Sequence, residues 1–158
     1  MIMQDSKLEG LTLHSWTLQI WRDYRRGVAL TGQQAAIAHC LQNHPEWWSD
    51  WDTADRPDDE RAITNRLIHI HNDAAIRIQV ERENPKEIKA LYDTLVGKGF
   101  TEFESIHTLT VAFTEESSYA VENDETFDLQ RYVDRARSYV KEALSRPNLT
   151  RSSKSKRY

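Results

Sequence analysis

Arg61 to Val80, RAITNRLIHIHNDAAIRIQV, is the most apolar run in an otherwise polar chain, and its reading decides the fold. Read as two strands, IHIH and AAIRIQV would alternate around Asn72-Asp73 as a β-hairpin. No glycine marks that turn, however, and the flanks DDERAITNR and QVEREN are good helix formers, so the run reads better as one continuous helix. On that helix Ile63, Leu67, Ile70, Ala74 and Ile78 make one apolar stripe. His69, Asp73, Ile76 and Val80 make a second beside it, with Asn65 at its start. An imidazole and a carboxylate one turn apart and facing a core are costly to bury without partners. The expected partner is Glu104-Ser105-Ile106-His107, another acid and imidazole at helical spacing.

Working outward, helix follows helix. Residues 7–26 carry Leu13, Trp16, Ile20 and Tyr24 at three- and four-residue steps, stopped by Gly27. Thr31 and Gln34 have the spacing of a capping box for a helix that buries Ala35, Ile37, Ala38 and Leu41 and ends near Asn43, before Pro45. Asp58 or Asp59 suits the cap of the central helix. Asn84-Pro85 reads as a cap followed by a first helical residue, leading into Ile88, Leu91, Tyr92 and Leu95 and closing at Gly97 and Gly99. Thr101 with Glu104 opens the next helix, with Phe103, Ile106, Thr110 and Phe113 on its apolar side. The last runs from about Phe127 to Leu144, with Leu129, Tyr132, Val133, Ala136, Val140 and Leu144 facing inward. The expectation is an all-α fold, an irregular bundle of five or six helices. Residues 1–144 would form a single helical domain, and residues 145–158 a basic, disordered tail.

Composition fits that reading. With 158 residues, 29% charged, five glycines and four prolines, the chain suits a helix-rich protein and not a many-turned sandwich. No apolar run reaches membrane-spanning length and MIMQDSKLEG lacks a signal-like core, so a cytoplasmic location without membrane contact is the default expectation. Cys40 is the single cysteine, which excludes an internal disulfide and reads as a packed small residue. The final fourteen residues hold five Lys or Arg and no acid; removing them from 21 leaves 16 basic against 25 acidic residues. Nucleic-acid binding is therefore an expectation only for the tail, and an unfavoured one. The remaining partner class is another protein or a second copy of the chain.

Chemistry has few carriers here. Glycine-rich phosphate loops, GxSxG and HExxH are absent, so no nucleotide cofactor is expected. The Glu-x-x-His element that di-iron bundles use twice occurs once, at Glu104 and His107. A mononuclear centre built from His69, Asp73 and His107, with Glu104 or Glu115 as fourth ligand or outer support, is chemically sensible for zinc, iron or manganese. Each residue also has a plainer role: Glu104 as half of a capping box, His69 and Asp73 as a hydrogen-bonded pair, His107 paired with a buried acid. His44 to Trp51, HPEWWSDW, offers three tryptophans that read as a lid over helix ends. The alternative function is a non-catalytic interaction module using Trp47, Trp48 and Trp51.

His44-Pro45-Glu46-Trp47, Asn65 with His69, Gln79, Pro85 with Ile88, and Glu104 with His107 recur here in the order and spacing of a known pattern. The chain resembles a bacterial family of uncharacterised proteins, domain-of-unknown-function family 1841, over roughly residues 14–135. Glu115 falls where that family tends to carry an acid. Arg66 stands where the family has proline, and Asp73 where it has a second histidine. The resemblance implies no activity, but it implies that His69, position 73 and His107 belong together.

Overall fold

The computed structural model describes the backbone of residues 2–53 and 60–146, and the side chains of residues 14–52 and 61–146. Every element among them is helical. In order these are α1 (Ile2–Arg25), α2 (Gly32–Gln42), a 3-10 turn (Pro45–Trp47), α3 (Trp48–Thr53), α4 (Glu60–Arg82), α5 (Lys86–Gly97), α6 (Glu102–Glu122) and α7 (Leu129–Ser145). The fold is all-α, as expected, with the short α3 adding to the five or six helices read from the sequence. The central run is one helix and not a hairpin, because its two stripes both find burial: Ile63, Leu67, Ile70, Asp73, Ala74, Ile76 and Val80 are all buried. The chain clusters into two compact units, Met1–Ile78 and Gln79–Tyr158, with the boundary inside α4. Among the described residues, no helix is long and apolar enough to cross a membrane.

In the first unit, α1 packs on α2. The core joins Leu18, Ile20 and Trp21 of α1, Ile37, Cys40 and Leu41 of α2, Trp51 of α3, and Ile63, Leu67, Ile70 and Ala74 of α4. Burial of Cys40 agrees with its reading as a packing residue. The end of α1 is closed as its glycine predicts. Gly27 takes φ +77, its N–H bonds to the carbonyl of Tyr24, and the Val28 N–H reaches back to Asp23, both at 3.0 Å. Thr31 does occupy the N-cap of α2, but its side chain makes no capping bond, so the Thr31–Gln34 box does not form. The proposed caps Asp58 and Asp59 lie outside the described residues, as does the tail from residue 147.

In the second unit α5, α6 and α7 pack on one another. The inner faces carry Ile88, Leu95, Ile106, Leu109, Ala112, Ala120, Tyr132, Val133, Ala136 and Val140. Thr101 and Glu104 form the expected capping box, with both reciprocal bonds present, at 2.9 and 3.1 Å. Asp128 caps α7 through the Arg131 N–H, so that helix starts two residues later than its apolar pattern suggests. Leu129, Leu144 and Phe103 are exposed rather than inward-facing. Each sits in the end turn of its helix. Pro85, and not Asn84, occupies the N-cap position of α5, after a cis Asn84–Pro85 bond.

Two helix ends escape the glycine rule. Helices α4 and α6 stop on Glu83 and Asp124, both at φ +52, with the same paired closing bonds that Gly27 makes. Left-handed backbone at a side-chain-bearing residue is unfavourable by roughly 1–2 kcal/mol, a strain that the capped carbonyls offset.

Candidate metal centre

The local fold of the HPEW stretch builds half of the site. His44 follows α2, and Pro45 opens a 3-10 turn closed by the bond from Trp47 N–H to the His44 carbonyl at 3.0 Å. The turn leaves the His44 side chain buried while Glu46 stays exposed. Glu46 Oε1 lies 2.8 Å from His44 Nδ1. The Trp47 ring stacks on the imidazole, with centroids 4.3 Å apart and planes within 12°.

Helix α4 supplies the other half. His69 and Asp73, one turn apart, place Nε2 and Oδ2 3.2 Å from one another. His44 Nε2 lies 3.6 Å from that same Oδ2. One ligand atom from each of His44, His69 and Asp73 lies within 4.8 Å of the others. Asp73 and His44 are buried, whereas the His69 side chain is a quarter exposed, so the group opens to solvent on the His69 side. The His69 ring stands edge-on to both the His44 ring and the Trp47 ring.

Burial disfavours the imidazolium of His44, but the carboxylates of Asp73 and Glu46 outweigh it and raise its pKa above the ordinary histidine value. The hydrogen bond from His44 in turn lowers the pKa of Glu46. Nearby, His71 turns toward α1, with its Nε2 2.8 Å from the Thr17 hydroxyl, and burial lowers its pKa. It belongs to the packing of α4 on α1 and not to the cluster.

Of the residues singled out in the sequence, His69 and Asp73 are brought together as expected. Glu104, His107 and Glu115 all lie on α6, in the second unit. Glu104 closes the Thr101 capping box, and exposed His107 stacks on Phe103 with ring centroids 6.0 Å apart. Glu115 accepts a hydrogen bond from the Tyr139 hydroxyl and lies 3.3 Å from Arg135. The residue missed was His44. Its signal was present in the His-Pro-Glu motif, but no spacing rule ties position 44 to a helix starting sixteen residues later.

The tryptophans are occupied in packing. Trp51 is buried, Trp47 and Trp48 lie half-buried against the first unit's core, and the Trp48 indole N–H donates to the Leu41 carbonyl at 3.1 Å. This is the lid arrangement and not an exposed aromatic platform. Arg66 reaches back to pair with Asp50 and sits over the Trp47 ring at 5.8 Å. Its backbone N–H is one that a proline would lack, so α4 continues through this position.

Among curated proteins and among solved structures, nothing matches this chain. The model of one family, a domain of unknown function designated DUF1841, matches residues 12–138, and the chain belongs to that family.

Proposed function

We propose that this protein binds one divalent metal ion through His44 Nε2, His69 Nε2 and a carboxylate oxygen of Asp73. The observation that carries this reading is the convergence of both imidazole nitrogens on one oxygen of Asp73, with the three ligand atoms within 4.8 Å of one another. Ligands held about 2.0–2.1 Å from a tetrahedral zinc ion lie roughly 3.3 Å from one another. The contacts of 3.2 and 3.6 Å to Asp73 Oδ2 bracket that value. Two imidazoles and one carboxylate suit zinc first, and iron or manganese where the coordination expands. A cation there takes the place of a proton between His44 and Asp73, so binding releases protons and weakens as the pH falls. Three protein ligands leave a position for water on the exposed His69 side, and a bound ion would supply Lewis acidity and an acidified water there. Hydrolytic or group-transfer chemistry is the reaction class that such a centre serves.

Elemental analysis of tag-free protein purified without chelator tests the reading. Near one equivalent of zinc, iron or manganese is expected, and it should be lost in both His44→Ala and His69→Ala. Metal-free wild type that also fails to take up added zinc would end the proposal, as would variants that retain the full equivalent.

A further inference from the structure

We propose that Glu46 is a positioning residue for this centre, the carboxylate that fixes His44 as an Nε2 ligand and strengthens its hold on the ion. The inference rests on the metal reading above and adds to it a residue that never touches the metal. A neutral imidazole carries one N–H and one lone pair, and the partner of one nitrogen decides which of the two the other presents. Glu46 is an exposed carboxylate, an acceptor only at neutral pH, and its Oε1 lies 2.8 Å from His44 Nδ1. Nδ1 must therefore carry the hydrogen and donate it. Once the ion displaces the Nε2 proton, the lone pair is left on Nε2, the nitrogen that faces Asp73 Oδ2.

Two further contacts make the arrangement specific. Trp47 lies parallel to the His44 ring and blocks rotation out of its plane, while the Glu46 bond restrains rotation within it. The intervening Pro45, with its fixed backbone angle at the start of the 3-10 turn, sets the two-residue reach from His44 to Glu46. A carboxylate behind a ligating histidine raises its basicity, and losing such a partner typically weakens metal binding about 10- to 100-fold. Because the Glu46 side chain is more than half exposed, its removal leaves the apolar core untouched.

The test is zinc affinity, measured by competition with a chromophoric chelator, for wild type, Glu46→Gln and Glu46→Ala. Nitrogen-resolved NMR of the histidine rings accompanies it. Glu46→Ala should bind zinc about 10- to 100-fold more weakly. Glu46→Gln, which keeps an acceptor but not the charge, should fall between. The zinc-loaded wild type should show His44 protonated at Nδ1. Wild type that binds zinc alongside a Glu46→Ala variant within twofold of it would overturn the positioning role and leave the metal reading standing. Wild type that binds no zinc would overturn both.

Discussion

Glu116→Ala should be among the most destabilising single changes in the second unit, lowering unfolding free energy by about 3 kcal/mol. Glu116 is fully buried on α6, and its carboxylate is almost wholly occupied. Arg131 donates to both oxygens, at 2.7 and 2.8 Å, the Asp128 N–H bonds at 3.0 Å, and Arg135 Nε stands 3.5 Å away. Removing the acid takes the shared carboxylate from two guanidinium groups over the ring of Tyr119, leaving Arg131 only Glu125 and Arg135 only Glu115, and frees the backbone N–H that anchors the start of α7. The loss carries a pH signature. The hydrogen bonds from Arg131 hold the Glu116 pKa at about 2, against 4.5 for the free group. A depressed carboxylate stabilises the fold fully above the unfolded value and loses that contribution as the pH falls toward the folded one. The gap between wild type and Glu116→Ala should therefore be full at neutral pH and close between pH 4.5 and 2. Urea unfolding followed by far-UV circular dichroism at a series of pH values reads this directly. A gap that is small at neutral pH, or independent of pH, would contradict it.

Trp21→Ala should be as damaging in the first unit, by about 3–5 kcal/mol. Only 1% of Trp21 is exposed; the ring stacks with Tyr24 at 5.7 Å, meets Trp48 at 5.9 Å, and its indole N–H donates to Asp52 at 2.8 Å. Alanine leaves a cavity between α1 and the HPEWWSDW segment and removes the donor that holds Asp52. Trp21→Phe should recover most of the packing and little of the hydrogen bond. All five tryptophans lie between residues 16 and 51, so the emission of the remaining four follows unfolding of this unit. A shift below about 1 kcal/mol would show that the neighbouring rings collapse into the space.

What the sequence made legible followed the range of the forces involved. Helix periodicity and helix stops are local, and α4, the Thr101–Glu104 box and the Gly27 stop are all where residue spacing places them. Trp21 was not part of the apolar stripe read on α1, because a ring one position off a stripe is distinguished only by what packs against it. Leu129 and Leu144 match the period of α7 but stay exposed in its end turns, which the period alone does not reveal. Glu83 and Asp124 end helices without glycine because the paired closing bonds outweigh the left-handed strain. The site was half legible for the same reason. His69 and Asp73 are four residues apart on one helix, whereas His44 reaches them only through the turn that His44-Pro45-Glu46 makes. Glu116 shares its sequence context with Glu115, and only the fold decides which of the two adjacent acids is buried.

A cobalt(II) titration of metal-stripped protein, with zinc added at the end point, addresses the three-residue centre most directly. The wild type should develop the intense visible bands of four-coordinate cobalt with an end point at one equivalent. Zinc should abolish those bands, and His44→Ala should never form them. Weak bands without an end point would show that His44, His69 and Asp73 form a polar cluster without a metal, and identical titrations of wild type and His44→Ala would show that His44 is not a ligand.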